Sequence, residues 1–85
     1  MPVAITRVPP KYPTLAREAG VDGTVITKAL INPAGVADSV VIIKSIPMLD
    51  DAAKAAVRQW RFSPAQKSGR PASAWLEIPV KFSLH

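Results

Sequence analysis

Eighty-five residues, 48% of them hydrophobic, are enough for one domain with one core. A chain this short buries only about 60–65% of the surface that its unfolded form exposes. The absence of cysteine excludes disulfide staples and thiolate metal sites. No run of about 18 apolar residues offers a membrane-spanning helix, and no charged-then-apolar leader opens the chain. The net charge of +5 raises the question of nucleic acid or an anionic surface. Against that, the 11 basic residues are scattered, without a run and with little aromatic interleaving, as on a solvated surface.

Residues 3–8 alternate weakly and suit a short strand, which Pro9-Pro10 ends because adjacent prolines remove two ladder donors. Tyr12 precedes Pro13 and is pushed towards an extended conformation. Pro13 suits the first position of a helix over 14–19, where its missing N–H has no intrahelical partner. Gly20 is a natural left-handed terminator of that helix, and Leu15 and Ala19 give it a narrow apolar stripe.

Asp22-Gly23 marks a turn, and 24–31 reads as a strand with Val25, Thr27, Ala29 and Ile31 on one face. Asn32-Pro33-Ala34-Gly35 supplies fixed and positive φ for a hairpin connection. The chain returns over 36–44, where Val40-Val41-Ile42-Ile43 is apolar on both faces, as in a strand covered on one side and partly shielded on the other. Ile46-Pro47 leads into the clearest helix of the chain. Its Leu49, Ala53, Ala56, Val57 and Trp60 recur at helical spacing. Asp50 and Asp51 sit near its start and Arg58 and Arg61 at its end, as the helix dipole favours. Lys67-Ser68-Gly69-Arg70-Pro71 reads as a loop, and 72–84 as the last strand. In that strand Ala74, Leu76, Ile78, Val80, Phe82 and Leu84 face the core, whereas Trp75, Glu77, Pro79, Lys81 and Ser83 face away.

A strand–strand–helix–strand order predicts an antiparallel sheet with the strands arranged second-first-last and a right-handed crossover carrying the helix over one face. The fold class expected is α+β, two helices on one face of a three-stranded antiparallel sheet. The last strand is then an edge. Pro79 points the same way, since a mid-strand proline is confined to edges and bulges. Two readings of that edge stand side by side. Glu77, Pro79 and Lys81 protect it against chance pairing, or it receives an extended peptide as an added strand.

Chemistry is sparsely provided for. His85 is the only histidine and lies at the end of the chain. Asp50-Asp51 are adjacent, hence on different parts of the helix surface, and capping explains them better than a metal site does. No glycine-rich phosphate loop is present, so a non-enzymatic domain without metal or cofactor is expected. Trp60 continues the apolar stripe and belongs to the core, and Phe62 seals the junction that follows. Trp75 lies off the core face, as cross-strand packing or as a contact site. Tyr12 either staples the helix entry or docks a partner.

In order and spacing, Tyr12-Pro13, Gly23-Thr24-Val25, Leu49-Asp50, Trp60-Arg61-Phe62 and the apolar final strand resemble the C-terminal domain of the TonB family, over residues 10–84. The resemblance implies one periplasmic domain over 1–85, with 1–9 as an N-terminal extension. It would belong to a transducer anchored in the inner membrane and driven by an ExbB/ExbD-type motor through a membrane anchor and proline-rich spacer lying outside this chain. The partner implied is the TonB box of outer-membrane transporters, added as a strand. The residues implied in binding are Tyr12, Pro13, Trp75, Glu77, Lys81, Phe82 and Ser83. Two features depart from familiar members: Pro9-Pro10-Lys11 replaces a polar, glutamine-containing stretch, and Pro79 removes one donor from the edge. Rival expectations are a TolA-like or motility-associated adaptor, a sensor appended to a membrane peptidase and, weakest, a nucleic-acid-binding module. A strand-exchanged homodimer is a further expectation for an open edge.

Overall fold

The computed structural model describes residues 2–84. Its centre is a three-stranded antiparallel sheet in the order β3-β2-β7, formed by β2 (Gly23–Ile31), β3 (Ala37–Lys44) and β7 (Ala74–Phe82). This is the second-first-last order expected. The alternation in β2 places Val25, Thr27, Ala29 and Ile31 fully inside, because successive side chains of a strand point to opposite faces. The Thr27 hydroxyl loses its water there and is satisfied by donating to the Ile78 carbonyl at 2.8 Å.

Asn32 organises the β2–β3 turn. Its side-chain oxygen accepts from the Ala34 and Val36 amides at 2.9 and 3.0 Å, and its amide nitrogen donates to Asp38 at 2.8 Å. Gly35 is required at φ +82°, where a Cβ would fall 2.2 Å from the Phe62 carbonyl oxygen. The close approach ties the turn to β4 (Arg61–Ser63), since the Phe62 amide donates to the Gly35 carbonyl at 2.9 Å.

Helix α2 (Asp50–Gln59) lays the predicted stripe on the sheet, with Leu49, Ala53, Ala56, Val57 and Trp60 all buried. Asp50, its first residue, holds the preceding turn by accepting from the Ile46 amide at 2.8 Å and from the Ser45 hydroxyl. The second helix, α1 (Thr14–Glu18), differs in phase from expectation. Pro13 stands at its N-cap, one position earlier than expected, with extended ψ of 136°. Ala16 is the buried residue, while Leu15 is 72% exposed and Ala19 is exposed as well. Five helical residues are too few for a periodic stripe to set the buried face, and the entry is anchored ahead of the helix by Tyr12, which packs edge-on against Phe82 with ring centroids 5.5 Å apart.

Two further pairings escaped the pattern. Strand β1 (Val3–Thr6) pairs antiparallel with β4, with Val3 opposite Ser63 and Ala4 opposite Phe62. The predicted loop over 67–71 is a hairpin of β5 (Ala65–Lys67) and β6 (Arg70–Ala72), so the last strand begins at Ala74 rather than Ala72. Its two-residue turn places Ser68 at φ 53° and Gly69 at φ 76°, the left-handed pair that a tight hairpin demands.

Candidate partner-binding edge

Among the described residues, strand β7 has a neighbour on one side only, β2. Which of its backbone groups face away follows from two observations. The Ile78 carbonyl receives the Thr27 hydroxyl and therefore points towards β2, and Pro79, opposite Ile26, has no amide hydrogen to give. In an antiparallel ladder the direction alternates residue by residue. Trp75, Glu77, Pro79 and Lys81 accordingly turn their backbone groups away from β2.

The side chains of those same residues line the face of the sheet opposite the helices. Trp75 is 46% exposed, stands opposite Leu30 and has the Lys28 ammonium 5.7 Å from its ring centroid. Glu77 is exposed opposite Lys28, and Lys81 is exposed opposite Thr24. Phe82 differs, because its side chain is 3% exposed and sits inside the core. Its backbone, opposite Gly23, turns towards β2 like that of Ile78, so Phe82 offers the open edge neither side chain nor main chain.

Tyr12, Pro13, Phe82 and Ser83 gather at the far end of β7. The Tyr12 hydroxyl donates to the Val21 carbonyl, and the Arg17 guanidinium lies 5.4 Å from its ring centroid. Desolvation of the phenol, reinforced by the Asp22 carboxylate and opposed by Arg17, raises its pKa above the ordinary tyrosine value. Tyr12 is therefore a standing donor that staples the entry to α1. Its ring, Arg17, Ser83 and Leu84 border a hollow of about 400 Å³. The expected site residues thus form two groups, Trp75, Glu77 and Lys81 along the strand and Tyr12, Pro13, Phe82 and Ser83 at its end.

The N-terminal segment was not among the residues singled out. It runs opposite β7, and Val8 accepts a hydrogen bond from the Trp60 indole at 2.9 Å, while the Arg7 guanidinium lies 5.5 Å from the Trp60 ring centroid. The one available signal was Trp60 itself, since a buried indole N–H needs an acceptor that its own helix cannot supply.

The molecule is of the class of small α+β domains with a helix-covered antiparallel sheet whose two outer strands, β3 and β7, are edges. A family model described as "Gram-negative bacterial TonB protein C-terminal" matches residues 8–84, and the chain belongs to that family. It is 32% identical over 80 residues to Protein TonB of Vibrio cholerae, covering 92% of this chain and 33% of that protein. Protein TonB of Neisseria meningitidis serogroup C is 40% identical over 80 residues, covering 89% of this chain and 26% of that one. The chain thus spans about a third or less of the length of these relatives. The solution NMR structure of the Pseudomonas aeruginosa TonB CTD superposes with a TM-score of 0.77 at 26% identity, covering 98% of this chain and 86% of that one.

Proposed function

We propose that this chain is the periplasmic end of a TonB-like energy transducer anchored in the inner membrane. It docks the TonB-box segment of outer-membrane transporters as an extra strand on β7. The force comes from a proton-motive-force motor of the ExbB/ExbD type acting through the remainder of the parent protein. The observation that carries the reading is the single-sided pairing of β7 in a member of the TonB C-terminal family. An edge with outward amides at Glu77 and Lys81 offers main-chain bonds to an extended peptide. The domain acts as a binding module, and the work requires no catalytic group, metal or cofactor of its own. Tyr12, Pro13 and the buried Phe82 support the end of the strand, whereas Trp75, Glu77, Lys81 and Ser83 meet the partner.

Substituting Lys81→Pro tests this reading. It removes an outward donor while the bonds to β2 stay intact, and should weaken a TonB-box peptide by about 1–2 kcal/mol, the worth of a net hydrogen bond with local distortion. Isothermal titration calorimetry measures the change. Unaltered affinity would remove β7 as the receiving strand. Self-association that rises with concentration and disappears in Lys81→Pro would instead identify a second copy as the occupant of the edge.

A further inference from the structure

The face of the sheet turned away from the helices is largely apolar and lies open. Val41 and Ile43 of β3 and Trp75 of β7 are 42%, 57% and 46% exposed on it, and Ile26 and Leu30 of β2 lie half-buried between them. Ile43 is the extra residue where the β2–β3 register slips, with Ile42 opposite Thr27 and Lys44 opposite Ile26. Single apolar side chains on a surface are ordinary, but a contiguous group on one rigid sheet marks a contact site.

Three lysines share this face, far apart in the sequence and gathered by the strand register. Lys44 stands at the β3 margin, Lys81 opposite Thr24 at the β7 margin, and Lys28 at the centre between Val41 and Glu77. Glu77 is the one carboxylate in these paired rows, so the face is cationic, like the chain as a whole at +5. A lysine lays its apolar stem along an apolar surface and keeps its ammonium outward. Lys28 does so already, with its ammonium 5.7 Å from the Trp75 ring centroid. At a bilayer surface the same arrangement sets aliphatic tips at the acyl boundary, the indole at headgroup level and the ammonium groups among phosphates. Single exposed ion pairs with a protein partner contribute little, whereas an anionic membrane attracts each lysine through the summed potential of many phosphates.

We propose that this outer face seats the domain on an anionic phospholipid surface. Val41, Ile43 and Trp75 enter the boundary between headgroups and acyl chains, and Lys28, Lys44 and Lys81 meet the phosphates. The seat is independent of which strand receives a peptide. Backbone bonds of a sheet run across its strands, within the sheet, so the edges of β3 and β7 stay open while the face is covered.

The probe is vesicles of equal parts phosphatidylcholine and phosphatidylglycerol, compared with phosphatidylcholine alone. Cosedimentation of the whole chain should show roughly tenfold or greater preference for the anionic vesicles. Tryptophan emission should move to shorter wavelength as Trp75 leaves water. Trp75→Phe leaves only Trp60, inside the core at 8% exposure, and should abolish that shift. Val41→Thr combined with Ile43→Thr keeps the β-branched shape and strand propensity, and should lower partitioning roughly tenfold through lost apolar contact. Lys44→Glu should lower it about fivefold or more, the contribution of a lysine near an anionic surface. Arg58→Glu changes the net charge equally. It lies on α2, across the sheet from the seat and beyond the roughly 8 Å over which salt screens a charge, so it should cost about twofold at most. Equal losses in Lys44→Glu and Arg58→Glu would reduce the contact to unspecific charge attraction and overturn the seat. Partitioning unchanged in the double threonine variant, or no binding to anionic vesicles, overturns it as well. A polyglutamate peptide that shifts the amides of Val41, Ile43 and Trp75 while vesicles leave the chain in solution would make an acidic protein the occupant instead.

Discussion

The two tryptophans stand on opposite sides of the sheet and in opposite circumstances. Trp60, 8% exposed, closes α2. It packs near Phe62 with centroids 6.2 Å apart and gives its indole hydrogen to Val8. Trp75, 46% exposed, has the Lys28 ammonium over its ring. On the helix side, packing and hydrogen bonding over-determine each group. On the outer side of β7, little but the strand backbone holds the side chains, and surface of that kind is free to be used by a partner.

Breaking the helix side should have the largest consequence. Trp60→Ala deletes a buried aromatic and releases the N-terminal segment from its tie, so it should cost about 3–5 kcal/mol. On a domain this small that approaches the whole stability. A melting temperature within a few degrees of the unaltered protein would show that the ring is not a core element. Gly35→Ala comes next, at about 1–3 kcal/mol for the left-handed backbone alone. The contact of the new Cβ with the Phe62 carbonyl adds to that. Urea denaturation should show the loss, and an unchanged midpoint would mean that the turn and β4 are not in contact.

Tyr12→Phe removes only the hydroxyl and leaves the Val21 carbonyl without its donor, so it should lower the melting temperature by less than Gly35→Ala does. The native protein offers a check on the same group. Its single tyrosine should ionise in an ultraviolet titration above the ordinary tyrosine value, since desolvation, the largest cause, raises the pKa. The stability from the neutral phenol is then fully present below the unfolded pKa and is lost as pH rises through the higher folded one. A midpoint at or below the free-tyrosine value contradicts the staple. Trp75→Ala should have the smallest effect on folding, within about 0.5 kcal/mol, as for a surface substitution. A fall of 2 kcal/mol or more, as in core deletions, would erase the contrast between the two sides.

Much of this contrast was legible in the residues. The stripe from Leu49 to Trp60 and the alternation in β2 and β7 follow from burial at periods of 3.6 and 2, and Pro79 marked the edge. The phase of α1 was not legible, because five helical residues hold too few apolar positions for the period to fix a buried face, and Ala16 rather than Leu15 turns inward. Nor was the hairpin over 65–72, whose turn places a serine at φ 53° without an asparagine or aspartate to announce it. At the candidate site, Trp75, Glu77 and Lys81 could be placed by parity alone. The N-terminal segment could not, since its place depends on β1 meeting β4 across more than fifty residues of chain, as in Ala4 opposite Phe62.

The central claim, that β7 is the receiving edge, is tested most directly by mapping amide chemical shifts as a TonB-box peptide from an outer-membrane transporter is titrated into the labelled protein. The largest changes should fall on residues 75–82, with Pro79 silent for want of an amide hydrogen, and β3 should be little affected. Largest changes on β3 (Ala37–Lys44) would make the opposite edge the receiving one and contradict the account.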